Sequence, residues 1–490
     1  MSHRKVWTIG EVESRRAALN KVGAILERVS LARAGQQRRL DVIEHRIKNM
    51  STAISNVPED ILIHIFVIAR FECGVSPELL ASVCHRWLAV VHGALGAPLW
   101  SELNLHMAYD VAAIAITRKT TRYLERSRTY PISYKLSADR GVLAEEIDQL
   151  RVIAKASMSR CTDLDVTPFM FRSWFPLQGP LRLRRLRISD DVGFSVTRKY
   201  PSSLLKAQCP SLRELEISMT GPAASGCSIP LLENVSKFAA ITHLRIEEMD
   251  FIDARLLGAL ASFHNLRYLY WCNTYHHYAS PRGRERAIAL SLPQLERLVL
   301  HSSHAGFRVF SILDAPLLRH LELFASPTTE YPAHWALLNP VRFPNLQTLY
   351  SSTADRDMYR IAAAIECHPK LRNVRWKVEV RSISKSIRSF SSFLRKDVLG
   401  VRSRPLLHQL GWFSIVPTQP LPSHPESTTL YTKIAHEVAK FAILWDATPA
   451  ERRSNFKLCL DNDLVRASQE ISRVVEEHPD IILPRVHPLE

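Results

Sequence analysis

Apolar residues recur along most of the chain in a short phrase, in which three apolar positions are separated first by two residues and then by one. From Leu183 to Leu371 the phrase returns every 23–29 residues, often two residues after a proline, as in CPSLRELEI and HPKLRNVRW. Because side chains alternate along a β-strand, the phrase predicts a short strand with one buried side. Strands of this kind are predicted at Trp100/Leu103/Leu105, Ile132/Tyr134/Leu136, Cys161/Leu164/Val166, Leu183/Leu186/Ile188, Leu212/Leu215/Ile217, Ile241/Leu244/Ile246, Leu266/Leu269/Trp271, Leu295/Leu298/Leu300, Leu318/Leu321/Leu323, Leu346/Leu349, Leu371/Val374/Trp376 and Leu407/Leu410/Trp412.

A period of roughly 20–29 residues built on this phrase is characteristic of leucine-rich repeats, whose units each bury one face against the next. Part of one period, DARLLGALASF (residues 253–263), has helical spacing. The predicted fold class is therefore α/β, with residues 101–413 forming a leucine-rich-repeat-like solenoid. The period varies, and the Asn or Cys expected after the last leucine is mostly absent.

The residues beside each buried pair are expected on the concave face of this solenoid, because they alternate with the buried ones. Tyr and Arg are common anchors of protein interfaces, so this face is a candidate target-binding surface, mixed in character, with basic ends, an acidic patch and tyrosines in the middle. An exposed sheet face also needs polar residues for solubility alone. The predicted target-binding residues are Arg185, Arg187, Glu214, Glu216, Arg245, Tyr268, Tyr270, Arg297, Tyr350 and Arg375.

Residues 1–50 are predicted to form a helical segment, since residues 12–50 fit a heptad pattern in which nine of twelve seam positions are apolar. Arg33 and Gln36 interrupt the seam, and Gly23 and Gly35 each weaken a helix by about 1 kcal/mol relative to Ala. Such a helix can form a dimer through residues 12–50 or lie on its own domain. The pattern leaves both alternatives open.

The stretch ISNVPEDILIHIFVIAR (residues 54–70) predicts a helix that begins near Pro58, with Asn56 as a candidate cap. Its apolar residues lie on more than one face, so it needs both a core and a second cover. In SPELLASVCHRWLAVV (residues 76–91), Ser76 is a candidate cap for a further helix. Residues 57–93 are therefore predicted to hold two or three short helices, ended by the corner Pro98-Leu99-Trp100.

The order VPEDIL, IF, SVCHRW and PLWS within residues 56–101 resembles an F-box. Together with the helix before it and the repeats after it, the chain is similar to fungal F-box proteins with leucine-rich-repeat-like C-terminal regions. The resemblance implies that residues 54–100 form a small helical module that docks onto the Skp-type adaptor of a cullin–RING ubiquitin ligase. The family's docking pattern falls on Val57, Pro58, Ile61, Leu62, Ile65, Phe66, Val83, Cys84, Arg86 and Trp87. Which of these face the adaptor and which fill the core is left open.

The repeat phrase is predicted to end after residue 413, which leaves residues 414–490 as a linker and a helical C-terminal cap or tail. IVPTQPLPSHPESTT (residues 415–429) contains four prolines and is predicted to be a linker. Residues 430–476 again show helical spacing of apolar residues.

The composition indicates a basic surface and an expected cellular location. The 490 residues carry a net charge of +16, with Arg and Lys spread along the chain, which is typical of a solvated basic surface. The eight cysteines form no C-x-x-C pair, so they are expected to be reduced thiols. Neither a secretory signal nor an apolar run of about 20 residues is evident. The expected location is the cytoplasm or nucleus, without a membrane partner.

No catalytic motif, cofactor or metal site is predicted. The sequence lacks a P-loop, G-x-G-x-x-G and G-x-S-x-G. His436-Glu437 begins like a zinc-protease helix, but Lys440 stands where the second histidine is needed. His276-His277 has no nearby ligand at metal spacing, and the Arg182, Arg184, Arg185 and Arg187 cluster is split between two faces.

The favoured function is a non-enzymatic substrate-recognition subunit of a cullin–RING ligase that holds a protein target on its repeats. One alternative is a repeat scaffold that no longer docks the adaptor. The other, less favoured, is a basic nucleic-acid-binding protein.

Overall fold

The computed structural model describes residues 9–50, 56–107, 113–138, 152, 155, 157–167, 182–190, 209–219, 240–247, 254–273, 290–302, 312–325, 339–352, 364–378, 383–398, 410–417, 427–446, 457–466, 468–480 and 482–485. Its contacts divide the chain into two units. The helical unit comprises Met1–Glu102 and Thr121–Tyr130, and the sheet unit comprises Leu103–Thr120 and Pro131–Glu490.

The described helices are α1 (Ile9–Met50), α2 (Glu59–Phe71), α3 (Pro77–Ser82), α4 (His85–His92), α5 (Ala113–Arg126), α6 (Ala254–Ala261), α7 (Ile383–Val398), α8 (Ser427–Asp446), α9 (Asn462–Arg466) and α10 (Gln469–Glu477). Short 3-10 turns cover Ala97–Trp100 and Met158–Arg160. None of the helices in these ranges is long and apolar enough to cross a membrane.

The predicted N-terminal helix is present as α1, and Gly23 and Gly35 lie within it without ending it. Every α1 residue whose burial is described is exposed, including Leu19 and Leu26 of the heptad seam. The described side chains of α1 are therefore exposed, and both alternatives for this helix stay open.

The predicted group of short helices is present as α2, α3 and α4. Ser76 caps α3, because its hydroxyl accepts a hydrogen bond from the Leu79 N–H at 3.2 Å, and Pro77 is the first helical residue. Pro58 itself is the N-cap of α2, one position earlier than a proline in the first turn, and no side chain caps this helix. The expected cap by Asn56 is therefore absent.

The core of the helical unit is centred on Trp100, which is fully buried at the predicted corner. The Trp100 indole donates a hydrogen bond to the Val91 carbonyl at 2.9 Å, which ties the corner to the end of α4. Tyr123 packs edge-on against the Trp100 ring at 5.0 Å and donates to the Glu78 carboxylate at 3.0 Å. Helix and corner are thus fixed around one indole ring.

The sheet unit contains one large sheet. Its strands are β1 (Glu102–Met107), β2 (Ile132–Ala138), β3 (Cys161–Val166), β4 (Arg185–Asp190), β5 (Glu214–Met219), β6 (His243–Glu247), β7 (Tyr268–Asn273), β9 (Arg297–Ser302), β11 (His320–Ala325), β12 (Thr348–Ser352), β13 (Asn373–Val378), β14 (Trp412–Pro417), β15 (Lys457–Asp461) and β16 (Ile482–Arg485). They follow one another in chain order, and every neighbouring pair from β2 to β16 is parallel. Two further strands, β8 (Leu290–Ser291) and β10 (Leu313–Asp314), pair in a separate small sheet.

The repeated phrase produces this sheet because its apolar positions fall in register from strand to strand. Leu186, Leu215 and Leu244 are paired in one buried row, and the row continues to Leu298 and beyond. A second buried row lies two residues further along each strand. The chain is therefore a mixed α/β protein with a parallel sheet, as the sequence predicted at that level.

The prediction for β14 is wrong by three residues. Phe413 pairs with Val374 and Ile415 pairs with Trp376, so Leu410/Phe413/Ile415 continues the buried rows in place of Leu407/Leu410/Trp412. Phe413 is fully buried and stacks on Phe390 of α7, with ring centroids 4.4 Å apart. This packing selects the register, because a shift by one residue would turn Phe413 to the other face.

The sheet also continues beyond residue 413, where the phrase was predicted to stop. Residues 415–417 of the predicted linker belong to β14, while 418–426 lie outside the described residues. Within the predicted helical tail, β15 and β16 add two parallel strands beside α8, α9 and α10. The tail is thus partly sheet.

Helices α7 and α8 cover the buried side of the sheet near β14. Phe390 of α7 packs against Phe413 and against Phe441 of α8. Between the two helices the Glu437 carboxylate, whose side chain is 4% exposed, accepts hydrogen bonds from Arg388 at 3.0 and 3.1 Å. Glu437 therefore has a structural role, because a buried carboxylate is stable only with such partners.

Candidate functional site

Helix α2 carries two different apolar sides. Leu62 and Phe66 are fully buried, and the Phe66 ring lies 4.6 Å from the Trp87 ring of α4. On the opposite side Ile61, Ile65 and Ile68 are 48%, 43% and 52% exposed at helical spacing. We call these three residues the α2 stripe. An exposed row of isoleucines on a short helix is available to a partner.

The other predicted adaptor-binding residues separate in the same way. Pro58 and Val83 are exposed, while Val57, Cys84, Arg86 and Trp87 are partly buried. The Arg86 guanidinium donates a hydrogen bond to the Val57 carbonyl, which joins α4 to the chain just before α2. Trp87 packs on Phe66, and Leu62 and Phe66 belong to the core. The exposed members of the predicted set are therefore Pro58, Ile61, Ile65 and Val83.

In the sheet unit, the ten predicted target-binding residues lie on one face of the large sheet. We call this the polar face, defined by two rows of paired residues and a third row beyond them. The first row runs Asp163, Arg185, Glu214, His243, Tyr268, Arg297, His320, Thr348, Asn373; the second runs Asp165, Arg187, Glu216, Arg245, Tyr270, Val299, Glu322, Tyr350, Arg375; and the third includes Ser218, Glu247, Cys272, His301, Phe324, Ser352, Lys377.

Glu216 is the centre of an ion-pair network on β4, β5 and β6. Its carboxylate lies 3.4 Å from Arg187, 3.6 Å from Arg185 and 3.4 Å from Arg245, and its side chain is only 12% exposed. Arg187 also lies 3.9 Å from Asp165 on β3. At this end of the face, which was expected to be basic, the positive charge of the arginines is therefore largely balanced by carboxylates.

An aromatic cluster follows on the next strands. The His301 ring stacks on Phe324 at 3.8 Å, and Phe324 packs against Tyr350 at 4.8 Å. Tyr270 lies 5.3 Å from His301 on the other side. We call Tyr270, His301, Phe324 and Tyr350 the aromatic cluster. The Arg245 and Arg375 guanidiniums lie over its two ends, 4.3 Å from the Tyr270 ring and 5.0 Å from the Tyr350 ring.

Sequence reasoning missed several residues of this face, because it took only the positions next to the buried pair. The third row lies two residues further along each strand, on the same side of the sheet. Extending the alternation beyond the last apolar residue of each phrase would have found them. The missed residues of the third row are Glu247, His301, Phe324 and Lys377. Asp163 and Asp165 were also left out, although they lie in the first and second rows on either side of the predicted Leu164.

Burial shifts the pKa of several groups on the polar face. It raises the pKa of the Tyr270 and Tyr350 hydroxyls. The pKa of Glu247 is lowered: burial alone would raise it, but hydrogen bonds from Ser218 and Arg245 outweigh burial. Burial, together with the charges of Arg245 and Lys377, lowers the pKa of His301 to about 4. The imidazole is therefore neutral at pH 7 and adds to the apolar character of the aromatic cluster.

We expect the pH dependence of stability to show this shift. The pKa of His301 is lower in the folded chain than in the unfolded chain. As pH falls from about 6.5 towards about 4, the unfolded chain takes up the proton first, so the free energy of unfolding decreases. Histidine hydrogen–deuterium exchange read by mass spectrometry should place the pKa of His301 well below 6.5. In Phe324→Ala the pKa should rise, since the stacked ring that buries the imidazole is gone. A His301 pKa near 6.5 in the unaltered folded chain would contradict this burial.

Some of the candidate catalytic and metal-binding residues lie within the described ranges. In these ranges no group of three His, Cys, Asp or Glu side chains is placed to hold a metal ion. Glu437 is engaged by Arg388, and His276-His277 lies outside the described residues. Burial raises the pKa of the Cys161 thiol to about 12 and that of Cys209 to about 11, so both are protonated at neutral pH.

Comparison with known proteins adds no family. No family model matches the sequence, and no curated protein matches it.

Proposed function

We propose that this chain is the substrate-recognition subunit of a cullin–RING ubiquitin ligase. Its helical unit would be an F-box-like module that docks a Skp-type adaptor, and its sheet unit would be a leucine-rich-repeat-like solenoid that holds a protein target. The chain itself would carry no catalytic step, because partner enzymes transfer the ubiquitin.

The observation that carries the proposal is the α2 stripe. The residue order that resembles an F-box coincides with a helix whose one side is core and whose other side leaves Ile61, Ile65 and Ile68 exposed. Burying an isoleucine side chain lowers the free energy by roughly 1.5–3 kcal/mol relative to leaving it exposed. A partner that covered the three isoleucines of this 13-residue helix would therefore gain a substantial part of its binding free energy there.

The sheet unit supports the target-holding half of the proposal. Its parallel strands follow one another in chain order, with one strand per repeat of the phrase as far as β14, as expected when repeat units stack. The polar face presents arginines and aromatic rings, the residue types that dominate protein interfaces. In this proposal the polar face is the concave face of the solenoid.

The adaptor half is tested by capture of a purified Skp-type adaptor on the full-length chain. We expect Ile61→Asp/Ile65→Asp to weaken capture by about 100-fold or more, because two buried contacts are lost and two charges are desolvated. The matched control is Ile443→Asp, which makes the same change at a 64% exposed isoleucine of α8. This control should leave capture unchanged.

The outcome separates the proposed function from its alternatives. Equal capture by the unaltered chain and the double variant would exclude the α2 stripe as the docking surface. An unaltered chain that captures no adaptor would favour the repeat scaffold without a ligase role. The nucleic-acid-binding alternative is weakened by the carboxylates around Arg185, Arg187 and Arg245, which compete with phosphate for these cations.

A further inference from the structure

The charges on the polar face are unevenly distributed on the two sides of the aromatic cluster. From β3 to β7 the described polar-face residues include three arginines and five carboxylates. From β9 to β13 they include Arg297, Arg375 and Lys377 but a single carboxylate, Glu322. One side of the cluster is therefore an ion-pair network with excess carboxylate, and the other has excess positive charge.

The carboxylate on the positive side is already engaged. Glu322 accepts two hydrogen bonds from the Arg297 guanidinium, at 3.1 and 2.6 Å, so it does not offset the charge of Lys377. Lys377 instead lies close enough to His301 for its charge to lower the pKa of that imidazole. The Arg375 guanidinium lies 5.0 Å from the Tyr350 ring, so positive charge borders the aromatic cluster, where partial burial weakens the screening by water.

The aromatic cluster supplies the other half of a binding surface. His301, Phe324 and Tyr350 are packed against one another and are only partly buried. Neutral stacked rings attract a large apolar side chain. Two strand spacings of about 4.8 Å separate Phe324 on β11 from Lys377 on β13, which three extended residues of a bound peptide span.

We propose that the polar face binds a target segment in which a large apolar side chain lies about three residues from one or more carboxylates. The apolar side chain sits on the aromatic cluster, and the carboxylates face Lys377 and Arg375. Because a peptide can lie across the strands in either direction, the carboxylates can precede or follow the apolar residue. This inference rests on the proposed target-holding role of the sheet unit and specifies its ligand.

The test selects random 12-residue peptides displayed on phage against the full-length chain, with Phe324→Ala as the counter-selection. We expect the enriched peptides to carry an aromatic or large aliphatic residue with Asp or Glu two to four positions away on one side. A selected peptide, labelled for fluorescence anisotropy, should bind Phe324→Ala at least about tenfold more weakly. It should bind Lys377→Glu about three- to tenfold more weakly, with a smaller difference in high salt.

The matched control is Lys370→Glu, the same charge change at an exposed lysine of the loop before β13. It should leave affinity within about twofold. Hydrogen exchange of the sheet strands shows whether each variant is folded. If Phe324→Ala does not fold, Lys377→Glu alone still tests the proposal.

The results distinguish this inference from the proposed function. Peptides that need Phe324 but have no acidic preference, and that bind Lys377→Glu normally, overturn the charge rule while leaving the polar face as a target surface. Enrichment that depends on neither residue overturns both the inference and the use of this face. Adaptor capture through the α2 stripe is decided by its own experiment and is unaffected by either result.

Discussion

Replacing Phe66 by Ala is expected to destabilise the helical unit by about 3–5 kcal/mol. The side chain is fully buried and packs on the Trp87 ring at 4.6 Å, so its removal leaves a cavity between α2 and α4. Domains are stable by about 5–15 kcal/mol in total, and a small helical unit is at the low end of that range. Hydrogen exchange should show loss of protection in α2, α3 and α4, while the sheet strands stay protected.

The control for Phe66→Ala is Ile65→Ala, one residue earlier on the exposed side of the same helix. Its cost should be about 1 kcal/mol or less, because the side chain is already 43% exposed. In adaptor capture Ile65→Ala should weaken binding while the unit stays folded. If the two variants lost the same stability, the division of α2 into a core side and a binding side would be wrong.

In the sheet unit, Trp376→Ala is expected to have the largest effect, also about 3–5 kcal/mol. Trp376 is fully buried, packs edge-on against Phe413 and is paired with Ser351 and Ile415 on the neighbouring strands. Because stacked repeats depend on their immediate neighbours, loss of hydrogen-exchange protection should begin in β12, β13 and β14.

Two further variants serve as controls for Trp376→Ala. Trp376→Phe should cost less than Trp376→Ala, since it retains a ring and removes an indole N–H that has no hydrogen-bond partner among the described residues. Arg375→Ala changes the adjacent residue, on the polar face of the same strand, and should lower stability little. A larger loss of stability for Arg375→Ala than for Trp376→Ala would contradict the assignment of the two faces.

Much of the sheet could be predicted because the phrase specifies both period and buried side. The predicted register was wrong at β14, because Leu407/Leu410/Trp412 and Leu410/Phe413/Ile415 both fit the spacing of the phrase. Only contacts from other parts of the chain, the pairing with Trp376 and the stacking on Phe390, separate the two registers. β15 and β16 were missed for a related reason, since their short apolar runs lie among residues with helical spacing.

The candidate surfaces could be predicted only in part. In α2 the sequence is apolar on nearly all sides, so Leu62 and Ile61 are equivalent until Trp87 of α4 is in place. On the polar face, strand alternation placed the ten predicted residues correctly. What the sequence could not show is that the arginines near Glu216 are shared between strands, because that depends on pairing between distant segments.

The chain-order arrangement of the parallel strands bears on how the protein folds during synthesis. Each strand of the large sheet pairs with the preceding strand of that sheet, so no strand waits for a distant segment to be made. Loop closure costs rise only slowly with length, and here each closure involves a few tens of residues. The sheet can therefore grow strand by strand as the ribosome releases the chain, with Phe390 of α7 meeting Phe413 and then Phe441 of α8 only near the end.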